Sequence, residues 1–361
     1  MATITSYDTK AGKRWRVRYR KPDRSQTDKR GFKTKRDAQA FAATVEVQKL
    51  SGSYISPTDA RITVASLAEP WLRTKQATLK PSSYQSLHTA WNARVEEAWG
   101  DRAIGTIRKS EVQAWLDGID KSATVVRRAH EVLAGILDTA LNDRLIPANP
   151  ARGVKLPRKN RKTNVYLTHA QVNALAEAAP ADKRALVLTL AYTGLRWGEA
   201  TALRVQSVTD VPRRLHVTEN AVTVAGLIHM GTPKTHEKRT VPYPEFLADD
   251  LKKLSEGKTR AAFLFGDGAT VLPYPRSNGG WFSNAVNRVH KKDPAFPIVT
   301  IHDLRHTTAS LAISAGANVK VVQRMLGHAS AAMTLDIYSD LIVDDLDTVA
   351  DRLNDARKSV G

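Results

Sequence analysis

The sequence predicts a mainly helical protein with smaller β parts, of the α+β class, folded as three domains. Three observations predict it. The 361 residues exceed what one hydrophobic core usually serves. After residue 62 apolar side chains recur three and four apart over long stretches, the mark of amphipathic helices. Strict alternation is confined to short stretches, foremost RWRVRYR at 14–20, the mark of half-buried strands.

Charge narrows the partner. Lys and Arg number 55 against 36 Asp and Glu, a net +19. Such a surplus implies a polyanion, nucleic acid before an anionic membrane. The longest apolar run, ALVLTLAY at 185–192, is too short to span a bilayer. No membrane association is expected. The chain has no cysteine, which excludes disulfides, Cys-ligated zinc and a Cys nucleophile and fits a reducing cytoplasm. The opening MATITSYDTK lacks the apolar stretch of a signal peptide.

The first domain is expected over 1–60. Residues 1–62 hold fifteen Lys and Arg against six Asp and Glu. In the alternating strand Trp15, Val17 and Tyr19 share one face, and Arg14, Arg16, Arg18 and Arg20 the other. ATITSY and DKRGFK are its neighbours, joined by the turns DTKAG and KPDRSQ. TKRDAQAFAATVEVQKL is a helix, with Thr34 as N-cap, Asp37 three later, and Ala38, Phe41 and Val45 on one face. A row of arginines repels itself unless an anion neutralises it, so these four are candidate DNA contacts.

SGSYISPTDA reads as a turn-rich linker. Residues 61–156 are expected to form a bundle of about four helices. Val64, Leu67, Trp71 and Leu72 line its first helix, and Pro81 opens the second. The stretch KLPRKNRKTN reads as flexible and DNA-tracking. Its 157–165 part is the basic linker, with Arg158, Lys159, Arg161 and Lys162 as candidate contacts. The third domain spans 166–361. It begins with helices in THAQVNALAEAA and DKRALVLTLAYTG. Strands follow in RRLHVTENAV, then strands and a hairpin in AGLIHMGTPKTHEKRTVPYP, and helices run to the end.

IHDLRHTTAS at 301–310 places His302 and His306 four apart on one helix face, the spacing by which zinc hydrolases hold their metal. That reading needs Asp303 as base, a methylene shorter than the usual Glu, and a third ligand. Arg305, a permanent cation in the same neighbourhood, opposes it. His302 and Arg305, three apart, can instead turn to one anion, and a guanidinium fork matches a phosphate. Upstream, Arg196 in TGLRWGEA follows a Thr-Gly turn at a helix start, with Glu199 three residues on to orient it. Downstream, MLGHAS holds His328, and Tyr338 in TLDIYSD follows it by ten residues. Taken singly, each has an ordinary structural reading, and Trp197 beside Arg196 reads as packing.

In order, TGLR with Glu199, Lys234 in TPKTHEKRTVP, HDLRHT, LGH and Tyr338 resemble the tyrosine recombinase family of the phage-integrase type. The motifs run from 193 to 338; the two preceding regions match by layout, as an arm-type and a core-type DNA-binding domain. The resemblance implies that Tyr338 attacks a DNA phosphate and forms a 3′-phosphotyrosine. Arg196 and Arg305 clamp the non-bridging oxygens, Lys234 protonates the leaving 5′-oxygen, His302 is acid or base, and His328 hydrogen-bonds the phosphate. Glu199 and His306 support these groups. Lys238, four residues on, is the rival to Lys234.

The chemistry permits these roles: fixed cations can do for a phosphorane what Mg²⁺ does elsewhere, so neither metal nor ATP is expected. The resemblance further implies integration and excision of a phage or other mobile element in a bacterial cytoplasm, and a tetramer on double-stranded DNA. The C-terminal stripe Ile342, Leu346, Val349 and Leu353 would dock on a neighbouring subunit. A host DNA-bending protein and a directionality factor are implied as helpers. Two rivals remain. TASLAISAGANVKVVQRMLG suits a helix-turn-helix regulator, and a type IB topoisomerase shares the chemistry.

Overall fold

The computed structural model describes residues 2–22, 24–50, 54–56, 59–159, 164–232, 238–328 and 330, with 351, 353–355 and 357–358. The chain divides into two compact units, Met1–Arg161 and Lys162–Gly361.

The first unit opens with β1 (Thr3–Thr9), β2 (Gly12–Arg20) and β3 (Gln26–Phe32), antiparallel in that order. Alternation sorts the central strand as expected: Val17 and Tyr19 are buried, whereas Arg18 and Arg20 are exposed. A register shift between Trp15 and Arg16 sets Arg16 opposite Arg30 and Arg18 opposite Asp28. Like charges facing across a sheet are destabilising; Arg16 turns its Nε to the Thr5 hydroxyl at 2.9 Å, and Arg30 pairs with Asp28 at 2.8 Å.

Helix α1 (Lys35–Leu50) begins at Thr34, whose hydroxyl accepts the Asp37 N–H at 3.1 Å. Ala38, Ala42 and Val45 are buried against the sheet, with Phe41 at the rim. Tyr54, expected in a linker, instead completes this small core. It is buried, and its hydroxyl donates to that of Tyr19 at 3.1 Å.

The helices follow: α2 (Val64–Thr78), α3 (Pro81–Ala90), a π-helical turn at Trp91–Val95, α4 (Glu96–Trp99), α5 (Lys109–Asp117) and α6 (Ala123–Asn142). On α6, Val126, Ala129, Val132, Leu133, Ile136, Leu137 and Ala140 are buried at three- and four-residue spacing, each large aliphatic contributing about 1.5–3 kcal/mol. On α2, Val64, Ala68, Trp71 and Leu72 are buried, with Leu67 partly so.

The stretch after 154 departs from the flexible linker expected of it. The Gln113 carboxamide bonds both backbone groups of Lys155, at 2.7 and 3.1 Å, and Arg127 donates to the Pro157 carbonyl at 2.9 Å. The strap ends there: Arg158 and Lys159 are exposed, and Arg161 and Lys162 lie outside the described residues.

The second unit starts with α7 (His169–Ala178), α8 (Ala181–Thr193) and α9 (Trp197–Thr201). Strands β4 (Val208–Asp210), β5 (Arg213–Val217), β6 (Asn220–Val224), β7 (Leu227–Gly231) and β8 (Arg239–Pro242) come next. Then come α10 (Ala248–Ser255), α11 (Trp281–Lys292), α12 (Ile301–Ser314) and α13 (Val319–Leu326). Helices α7, α8, α11 and α12 supply most of one core with Leu215, Val217 and Val241 of the sheet.

The hairpin expected around Lys234 sits elsewhere. Strands β6 and β7 pair with each other across Ala225 and Gly226, both at positive φ, the turn whose twist matches paired strands. Strand β8 pairs instead with β5 in a three-stranded sheet ordered β4-β5-β8. Lys234 lies between β7 and β8, outside the described residues; Lys238 is described and exposed.

Gly135 on α6 lies under Trp71, and a Cβ there would meet the indole at 2.6 Å. Gly135→Ala should therefore lower stability by about 1–3 kcal/mol through overpacking, read from urea unfolding of the full chain.

Candidate active site

Two helices of the second unit end in left-handed glycines. Gly194 closes α8 at φ 66°, and Gly327 closes α13 at φ 64°. Glycine holds this conformation without the Cβ penalty. A helix C-terminus presents carbonyls with partial negative charge, a natural partner for a cation. Arg305, on α12 and 3% exposed, supplies it. Its Nη1 donates to the Gly194 carbonyl and its Nη2 to that of Leu326, each at 2.5 Å. One guanidinium thus ties α12 to the ends of α8 and α13. The chain leaving α8 reaches Arg196 two residues later, and the chain leaving α13 reaches His328 two residues after Leu326.

Helix α12 is set from its own start. Asp303 accepts from the Thr300 N–H and hydroxyl, both at 2.7 Å, a capping arrangement. Thr308 donates to the α8 carbonyls of Ala191, at 2.8 Å, and Leu190, at 3.1 Å.

Arg196 stands at the N-cap of α9. Glu199 accepts its backbone N–H and its Nη1, both at 2.9 Å, as the motif predicted. Sequence reasoning missed the third member. Arg239 donates to the same carboxylate at 2.9 and 2.6 Å, and its Nε reaches the Met325 carbonyl of α13 at 3.2 Å. Glu199 is 1% exposed. Burial alone would raise its pKa, but the Arg239 fork, then the Arg196 N–H and charge, bring it down to about 2. The available signal was strand alternation: Arg239 shares its face with buried Val241, and a cation facing inward needs an acid.

His302 is exposed, His306 half-buried, and their rings meet edge-on at 5.0 Å. Partial burial and the Arg305 charge lower the His302 pKa. Burial, then His302, hold His306 at about 4. His328 is also held at about 4, by burial and then by the charges of Arg305, Arg196, His306 and Arg239. These mutual influences place Arg196, His302, Arg305, His306, His328 and Arg239 in one neighbourhood. Tyr338 and the tail residues Ile342, Leu346 and Val349 lie outside the described residues, and Leu353 is exposed.

Three neutral imidazoles among three guanidiniums make a site for an anion with several oxygens. The zinc reading loses its base, because Asp303 is engaged in the cap. Among the described residues no three His, Cys, Asp or Glu side chains gather as a metal would need. None of the described helices is long and apolar enough to cross a membrane.

Comparison with known proteins agrees with this geometry. A model of the phage integrase family matches residues 165–343, and one of an arm DNA-binding domain matches 5–49. The integrase of Mycobacterium phage D29 is 28% identical over 322 residues, 85% of this chain and 84% of the relative. The tyrosine recombinase XerD of Corynebacterium glutamicum is 30% identical over 277 residues, 69% of this chain and 84% of the relative. Among solved structures, a Tn1549 transposon integrase in complex with transposon right end DNA superposes with TM-score 0.67 at 22% identity, covering 80% of this chain and all of that one. A lambda integrase tetramer bound to a Holliday junction superposes at 0.56 and 18% identity, covering 90% of this chain and 96% of that one.

Two outcomes test the electrostatics. Glu199→Ala should cost about 3–5 kcal/mol, because it strands two guanidiniums in a partly buried setting, measured by chemical denaturation. Stability should also depend on pH with a definite sign. The unfolded histidines take a proton near 6.5, whereas folded His306 and His328 refuse it until about 4. Their contribution is complete above pH 6.5 and is lost as pH falls towards 4. The Glu199 contribution is complete above its ordinary 4.5 and is lost as pH falls towards 2. His328→Gln should flatten the first slope in urea midpoints taken against pH; an unchanged slope would contradict the assignment. On the motifs, the site geometry and these relatives together, the chain belongs to the tyrosine recombinase family, enzymes of site-specific DNA recombination.

Proposed function

We propose that this recombinase integrates and excises a mobile genetic element through a covalent 3′-phosphotyrosine on Tyr338. The observation that carries this reading is the convergence of Arg196, His302, Arg305 and His328 at the joined ends of α8, α12 and α13. The phenolate oxygen of Tyr338 attacks phosphorus, and the 5′-oxygen leaves with a proton. The phosphotyrosyl ester keeps the energy of the broken bond, so the 5′-hydroxyl of another strand can reverse the attack without ATP.

Arg196 and the imidazoles face the non-bridging oxygens, where charge builds in the transition state. Arg305 acts at closer range to the protein, since its fork already serves two carbonyls; its charge adds to the field at the phosphate. Lys234 is the general acid in this reading. Fixed guanidiniums take the part a divalent metal plays in other phosphoryl transfers, and the reaction uses no metal.

The partner is double-stranded DNA of two kinds. The helical bundle and the catalytic unit take the core site. The cationic face of the first sheet, with Arg14, Arg16, Arg18 and Arg20, takes a separate arm site, and Arg16 facing Arg30 there gains most from an anion. Arg158, Lys159, Arg161 and Lys162 follow the backbone. Four copies assemble on DNA, each tail docking on a neighbour, with a DNA-bending protein and a directionality factor assisting. The setting is a bacterial cytoplasm.

The test is a nicked duplex carrying the core site, incubated in EDTA. A covalent adduct should form with the natural chain and vanish with Tyr338→Phe, while Arg196→Ala should slow it about 10²–10³-fold. An adduct that survives Tyr338→Phe, or that needs added metal, refutes the mechanism. Binding should also weaken steeply as salt rises. Removal of residues 1–62 should abolish arm-dependent integration yet leave core-site cleavage; equal loss of both would refute separate modules.

A further inference from the structure

This inference rests on the recombinase reading and concerns the surface beside its cation cluster. Trp197 directly follows Arg196. Tyr274 meets Trp197 edge-on, with centroids 5.4 Å apart. Trp281 lies 6.4 Å from Trp197 and backs onto Phe282 at 5.5 Å. Phe282 is buried, whereas Tyr274 is 49% exposed. The aromatic series therefore runs outward from the core and ends on a ring half in water.

The backbone that carries that ring is constrained. Pro273 and Pro275 flank it, and each fixes its own φ. The turn that follows is tight: a Cβ on Gly280 would lie 2.2 Å from the Arg276 carbonyl. Burial, then the Asp303 carboxylate, push the Tyr274 phenol up. The ring is therefore within electrostatic reach of the first turn of α12, which carries His302. The series thus includes the residue that follows Arg196, and its exposed end feels the charge of Asp303, one residue after His302.

Cations for the backbone beside an exposed, pre-ordered aromatic ring are the chemistry of a site for unpaired nucleotides. Strand exchange creates such nucleotides, because bases beside the cut must leave their partners before the strand can move. We propose that Tyr274 stacks on the unpaired base next to the scissile phosphate and so steadies the strand for cleavage and exchange. A ring carried on a constrained backbone loses less freedom on stacking, which favours this use.

The test uses labelled duplexes of the core site and full-length protein carrying Tyr338→Phe, so that binding is read without cleavage. One duplex series has a single mismatched base at each position beside the cut; a second has an abasic residue there. The Tyr338→Phe protein should bind the mismatched duplex about tenfold or more tighter than the abasic one at one such position. Adding Tyr274→Ala should erase that difference, and adding Tyr274→Phe should keep it. The proposal is overturned if no position shows the difference, if Tyr274→Ala keeps it, or if Tyr274→Phe loses it. A folding defect in Tyr274→Ala would weaken both duplexes alike and leave their ratio intact, which is also an overturning result. Failure of the recombinase reading shows separately, in the Tyr338-dependent adduct.

Discussion

One guanidinium organises the catalytic unit. Arg305 is buried, and two helix C-termini share its charge through the carbonyls of Gly194 and Leu326. Each partner needs the other. A buried cation without acceptors is costly, and two helix ends converging without a cation would set partial negative charges against each other. The pairing decides where α8 and α13 stop, and hence where Arg196 and His328 begin. The placement of Arg196 and His328 follows from backbone chemistry, with Arg196 two residues beyond one cap and His328 directly after the other.

A second clamp complements the first. Glu199 joins its own helix start to a strand forty residues away through Arg239, and Arg239 in turn reaches α13 through Met325. Both ties end near Gly327, whose missing side chain leaves room for the Arg239 guanidinium, 3.1 Å from where a Cβ would be. Leu326 and Gly327 are thus held from two directions. The imidazole of His328 gains its fixed position from neighbours that also keep it neutral.

What was legible in the sequence was local. Arg196 with Glu199, His302 with Arg305, and the glycine before His328 lie within single turns or caps, where spacing determines geometry. The alternating RWRVRYR strand and the α6 stripe were legible for the same reason. What stayed hidden was long-range. Nothing near Arg239 names Glu199 as its partner. Tyr54 looked like linker because its neighbours are turn formers, yet its ring meets Tyr19 across thirty-five residues. The strap from Gln113 to Lys155 spans forty-two. The hairpin was misplaced because alternation marks strands without saying which pair, and β7 and β8 chose different partners.

The Arg239 clamp also sets a tether. Five residues separate Lys234 from Arg239, and an extended chain spans at most about 3.3–3.6 Å per residue. Covalent geometry therefore limits any residue five positions from Arg239 to within about 18 Å of an anchor bolted to Glu199. The proton donor proposed at Lys234 and the phosphate clamp proposed at Arg196 would then share one fixed point, so a shift at Glu199 would detune both together.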